Sequence, residues 1–229
     1  MTFSPKIADR ERLPELRLAL PGTWGSVELS SEEAARASIR RLATRLTGRN
    51  DRAAPLRADL RKNLFELAEK AMAGGASGLY LAIEIVPGLT VPLSLTVFWP
   101  PTPVIGSLPS KPDTVIDLVI SALSSLPDSA NYKNQLREDF GDTASWRRTK
   151  LLSNPADEGA PAYETLLVDY WLAVPGTQRV VLLTFSTSLL ESTAQLLELF
   201  RVTIAAMRWV DPQPARASDS RVVLSGGPR

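Results

Sequence analysis

Residues 163–209 read YETLLVDYWLAVPGTQRVVLLTFSTSLLESTAQLLELFRVTIAAMRW. Tyr163–Val174 and Gln178–Thr187 are rich in β-branched, aromatic and aliphatic residues, which predicts two strands. Pro175-Gly176 between them is turn chemistry, because Pro pre-sets φ and Gly accepts a positive φ. The pair is therefore expected to be an antiparallel hairpin. Ser188 and Glu191 have the spacing of a capping box, predicting a helix over about 189–209. Its apolar positions are Leu190, Ala194, Leu197, Phe200, Ile204 and Met207, with Arg201 and Arg208 toward the C-terminal end, where the helix dipole favours cations. The hairpin is apolar on both faces: Leu166, Val168, Tyr170 and Leu172 on one, Leu167, Trp171 and Ala173 on the other. That pattern belongs in the middle of a sheet with helices on both sides.

Upstream, the alternation of Leu16, Leu18 and Leu20 predicts a short strand, and Ser26–Leu29 a second. Ser30 and Glu33 form another capping box, before a helix with Ala35, Ile39, Leu42 and Leu46 on one face. A second helix is expected from Asn50 or Asp51 to Met72, with Leu56, Leu60, Leu64, Leu67 and Ala71 buried. Gly74, Gly75 and Gly78 follow it. AGGASG matches no phosphate-loop pattern and fits a helix stop. Two strands, Leu79–Val86 and Val91–Trp99, are joined by a Pro87-Gly88 turn. Pro100–Pro112 reads as an extended loop, and Pro100–Pro103 would suit either a rigid surface segment or a polyproline ligand. Asp113 is expected to cap a shorter helix. Residues 126–141 leave a helical turn and a loop both open, and Ala144–Leu152 predicts a strand.

The order of elements predicts an α+β fold: a single α/β/α sandwich with a central, mainly antiparallel sheet covered by helices. The domain is expected over 14–212, between a flexible N-terminus (1–13) and a disordered tail (213–229) rich in Pro, Ser, Arg and Gly.

Composition narrows the chemistry. The chain of 229 residues is 44% apolar and 22% charged, ordinary for a globular protein, and its formal charge is +1. It holds neither Cys nor His. Disulfides, thiolate ligands, cysteine nucleophiles and Ser-His-Asp catalysis are therefore excluded. No metal or other cofactor is expected. The opening MTFSPKIADRERLPEL has no apolar run of the secretory kind, and no stretch reaches the ~18 apolar residues of a membrane span. A cytoplasmic location is expected.

Three stretches carry a family resemblance: LRLALPGTW (Leu16–Trp24), WRRTKLL (Trp146–Leu152) and the run from Tyr170 to Trp209. Together with the order of elements they resemble the PsbP-like α/β/α sandwich, and especially the actinobacterial LpqN-type proteins. The resemblance implies a non-catalytic binding or assembly module, with an accessory role in a bacterial envelope or secretion system. The chain departs from the lipoprotein pattern in lacking a lipidated cysteine. No family site residue transfers. The excess of arginine over lysine also points to a GC-rich bacterial genome.

Charge placement supplies the candidate site. Nine basic residues lie between Arg36 and Lys62 against Asp51 and Asp59 alone, so this segment carries +7 and the rest of the chain −6. The candidate partner-binding residues are Arg36, Arg40, Arg41, Arg45, Arg49 and Arg52; Arg41, Arg45 and Arg49 recur along one helix face. They would grip an acidic protein, or an anionic membrane surface. The plainer alternative is a solvated helix face. Nucleic acid fits poorly, since no aromatics interleave with the arginines. A second candidate is a cleft over the central sheet lined by Trp146, Arg148, Asp169 and Trp171, with Tyr170 and Trp99 as further aromatics. Asp169 in an apolar strand must be paired or protonated, and Arg147 or Arg148 is the expected partner. The two functional expectations are a non-enzymatic binding or scaffold protein using the basic face, and a small-ligand binder or enzyme using the cleft.

Overall fold

The computed structural model describes residues 2–3, 14–48, 50–100, 111–156 and 161–210. Arg49, the Pro101–Pro103 part of the proline stretch, residues 157–160 and the tail from 211 lie outside them, as does most of the N-terminal segment.

The expected hairpin, β8 (Tyr163–Ala173) and β9 (Val180–Thr187), forms the middle of a seven-stranded sheet. The other strands are β3 (Thr23–Val27), β4 (Ala76–Glu84), β5 (Leu93–Phe98), β6 (Lys133–Phe140) and β7 (Thr143–Asn154). The order is β3-β4-β5-β9-β8-β7-β6, and every neighbouring pair is antiparallel. A separate small sheet joins β1 (Thr2–Phe3), β2 (Glu15–Arg17) and β10 (Arg208–Val210). The helices are α1 (Glu32–Thr47), α2 (Ala54–Ala73), α3 (Pro112–Ser124) and α4 (Thr193–Ala205).

One sheet face is filled. Leu95, Val97, Val168, Tyr170, Leu172, Leu183 and Phe185 pack under Leu196, Phe200 and Ile204 of α4. Phe185 stacks on Phe200 with ring centres 4.2 Å apart. The other face is covered at its two flanks. On one flank, Ala35, Ile39, Leu64 and Ala68 of α1 and α2 cluster with Val27 and Leu79. On the other, Val115 and Ile116 of α3 cluster with Ala144, Trp146 and Ala173. Between the flanks β5 and β9 present polar pairs, Ser94 opposite Ser186 and Thr96 opposite Thr184.

The structure corrects several element boundaries. The cap of α1 is Ser31, whose hydroxyl accepts from the Ala34 amide at 3.1 Å, and not Ser30. The Ser188/Glu191 box does not open the last helix; a 3₁₀ turn (Leu190–Ser192) precedes α4, and Thr187 Oγ1 accepts the Leu189 amide at 3.1 Å. The chain must first leave β9 before it can lie across the sheet, and the tight turn makes that bend. At its far end α4 closes with Met207 N–H donating to the Ile204 carbonyl at 3.0 Å, so Arg208 and Trp209 join a strand. Lys111, not Asp113, stands at the cap of α3; Asp113 lies in the first turn beside Pro112. Residues 126–141, open between turn and loop in the sequence, hold a 3₁₀ turn and strand β6. β6 is an edge strand exposed along most of its length, so it lacks the apolar alternation that would have shown it.

Candidate functional site

α1 starts with Glu32 and Glu33 in its first turn, where the helix dipole favours acids. α2 runs against it, and the buried alanines Ala35 and Ala68 allow close approach of the two helices. Where they diverge toward solvent, Arg36, Ile39 and Arg40 of α1 and Arg61 and Phe65 of α2 line an open groove of about 200 Å³. Its floor is apolar: Ile39 is buried and Phe65 half-buried. Its rim is cationic. The Arg36 guanidinium lies 3.6 Å from the centre of the Phe65 ring and also pairs with Glu32 at 2.8 Å. Cation and ring attract through the ring's quadrupole, so each holds the other in place. Arg61 Nε donates to the Arg57 carbonyl at 3.1 Å, which fixes the side chain along its own helix. Arg40 is exposed and has no acidic partner among the described residues.

The helix separates the expected arginines into two sets. Successive residues are turned by about 100°, so Arg40 and Arg41 point to different flanks. Arg36 and Arg40 face the groove. Arg41 and Arg45 are exposed on the remainder of α1, and Arg52 in the short turn before α2, none of them lining the groove. Arg49 lies outside the described residues. Arg57, counted in the basic run, is tied up structurally, since its guanidinium donates to the Gly48 carbonyl at the C-terminal end of α1. Arg61 and Phe65 do not stand out in the sequence. Their i, i+4 spacing on the flank of α2 beside its buried stripe is the signal that could have found them.

The second candidate also assembles. Register places Arg148 of β7 opposite Asp169 of β8, and Asp169 opposite Thr184 of β9. Directly opposed residues share a sheet face. Arg148 Nε donates to Asp169 Oδ2 at 3.3 Å, and Thr184 Oγ1 to Asp169 Oδ1 at 2.8 Å. The Tyr132 ring covers the guanidinium at 3.6 Å, and the Trp146 and Trp171 rings stand 5.2 and 5.9 Å from it. Arg148 and Asp169 are 8% and 5% exposed, so both charges spend themselves on each other. Burial pushes the Asp169 carboxyl above its ordinary range, against the opposing pull of Thr184 and Arg148. Tyr132 is the member that sequence reasoning missed, because it lies in the 126–141 stretch that shows no periodicity. The cluster reads as a clasp across three strands. Tyr170 points to the opposite face against Phe185, and Trp99 packs edge-on against Trp209 at 6.4 Å, so neither joins it.

Among the described residues, no group of three or more His, Cys, Asp or Glu stands ready to hold a metal ion, and no helix is long and apolar enough to cross a membrane.

No family model and no curated protein matches the chain. Among solved structures it is similar to the crystal structure of LpqN, involved in cell envelope biogenesis of Mycobacterium tuberculosis. The two share 13% identity at a TM-score of 0.44, over 89% of this chain and 87% of that one. At this identity the likeness is one of element arrangement and says nothing about chemistry.

Proposed function

We propose that the protein is a non-enzymatic binding module that engages an acidic protein partner through the outer face of α1 and α2. The observation that carries this reading is the groove itself: Arg36, Arg40 and Arg61 ring an apolar floor, and Arg40 has no acidic neighbour among the described residues. Exposed charge without an internal partner is available for an external one, and it steers association. The test is co-purification from native lysate with wild type, Arg40→Glu/Arg61→Glu and Arg41→Glu/Arg45→Glu, followed by binding of the identified protein in purified form. The reading expects a partner lost in the first variant and released near ~1 M salt, where screening reaches about 3 Å. Equal recovery by all three proteins would place the working surface elsewhere. A cytoplasmic location, and an accessory role at a bacterial envelope or in secretion, belong to the same proposal; cell fractionation and the identity of the partner test them.

A second reading, a small-ligand or catalytic cleft over the sheet, is favoured by the meeting of Trp146, Arg148, Asp169 and Trp171 beside the polar strip of Ser94, Thr96, Thr184 and Ser186. A thermal-shift screen of small ligands addresses it. A ligand whose stabilisation disappears in Thr184→Val would support it.

A further inference from the structure

We propose that the α1–α2 groove recognises an acidic segment carrying one large apolar side chain, which inserts between the helices while its flanking carboxylates pair with Arg40 and Arg61. This deepens the binding-module reading and rests on it. Volume supports it first. A site of about 200 Å³ floored by Ile39 and Phe65 has room for one leucine or phenylalanine side chain; an apolar cavity of about 150 Å³ already holds a benzene-sized group. The chemistry of the lining supports it next. Residues 36–40 and 61–65 lie within α1 and α2, where backbone N–H groups are spent on the helix. The groove therefore offers no backbone donors to cradle a phosphate, and an anion without an apolar part would leave the exposed part of Phe65 without a contact. Finally, Arg36 is already stacked on Phe65 and paired with Glu32, so the ring is held in place before a ligand arrives. That leaves Arg40 and Arg61, on opposite walls, to meet carboxylates on either side of the inserted group.

The experiment is fluorescence anisotropy with labelled, end-capped peptides of sequence EELEE and EESEE. The proteins are wild type, Arg40→Glu/Arg61→Glu, Arg41→Glu/Arg45→Glu and Phe65→Leu. The expected result is that wild type binds EELEE about tenfold or more tighter than EESEE, the factor that burying one leucine side chain supplies. Arg40→Glu/Arg61→Glu should lose EELEE by at least about tenfold. Arg41→Glu/Arg45→Glu should change it by less than about threefold. Phe65→Leu, which keeps an apolar floor but removes the stacked ring, should weaken EELEE more than EESEE. Equal affinity for the two peptides overturns the inference and leaves the binding-module reading in place. So does failure of wild type to bind either peptide while a protein partner still requires Arg40 and Arg61. Displacement of EELEE by pyrophosphate, or by phosphatidylglycerol vesicles, at comparable concentration overturns it in favour of an anion or membrane site. Indifference of both peptides and partner to Arg40→Glu/Arg61→Glu overturns inference and reading together.

Discussion

Asp169 and Arg148, buried and paired across β7 and β8, carry a prediction at the scale of single residues. Removing one member of a buried pair leaves the other charged, desolvated and alone. Asp169→Ala is therefore expected to cost about 3–5 kcal/mol in urea unfolding. Arg148→Met/Asp169→Leu, which removes both charges, should cost much less than the sum of the two single changes; additive costs would show that the clasp is not a unit. Tyr80 gives a pH signature at the same scale. Burial, with Glu28 adding to it, pushes its phenol from 10.0 to about 12. The folded state thus keeps a proton that the unfolded chain releases above pH 10, so this group's contribution to stability is intact below pH 10 and lost as pH rises toward about 12. The loss amounts to about 1.4 kcal/mol per pH unit within that window. Tyr80→Phe should flatten this alkaline limb, measured by denaturant titrations at successive pH values; an unchanged limb would assign the loss to other groups.

Elements here depend on a few backbone positions as much as on apolar stripes. Gly22, in the PGTW turn that leads into β3, has φ +74°, and a Cβ there would lie 2.0 Å from the Glu84 carbonyl oxygen of β4. Neither the dihedral nor the space suits an alanine. Gly22→Ala should destabilise by at least about 2 kcal/mol and loosen β3 from β4, seen as faster amide exchange in Thr23–Val27. A shift within about 0.5 kcal/mol would mean that the turn relaxes freely. The start of α1 shows the limit of motif reading. Ser30 and Glu33 have the capping-box spacing, but the extended backbone of Ser31 (φ −157°, ψ 162°) places the cap one residue later. The apolar stripes are clearer: Ala35, Ile39 and Leu42 are buried as their spacing demands. In α4 the spacing points to Leu197, but Leu196 takes the core position, because it lies four residues before Phe200 and eight before Ile204 on the buried stripe.

At the scale of the molecule, charge is segregated while the net charge stays near zero, with +7 in residues 36–62 and −6 elsewhere. Arg40, Arg41, Arg45 and Arg61 are all exposed. Arg40→Glu/Arg61→Glu and Arg41→Glu/Arg45→Glu should therefore each leave unfolding free energy within about 0.5 kcal/mol per substitution, measured by urea titration. A larger loss in either would show that the arginines hold the helix pair together, and would remove the grounds for reading them as a binding surface.

By itself the sequence determined the elements whose signals are local: the central hairpin with its Pro-Gly turn, the stripe of α1, the antiparallel α+β class and the absence of cysteine and histidine chemistry; on α2 it pointed to Leu56, which is 62% exposed. It also displayed the arginine run, because charge is countable residue by residue. Tertiary structure alone decided the rest. The β5–β9 pairing joins strands that lie far apart in the chain, and no local pattern specifies which strands will meet across such a distance. β6 stayed hidden because an edge strand in water needs no apolar alternation. Of the candidate arginines among the described residues, Arg36 and Arg40 face the groove, and Arg61 and Phe65 complete it, because the packing of α2 against α1 determines which flank of each helix meets the other and which faces water.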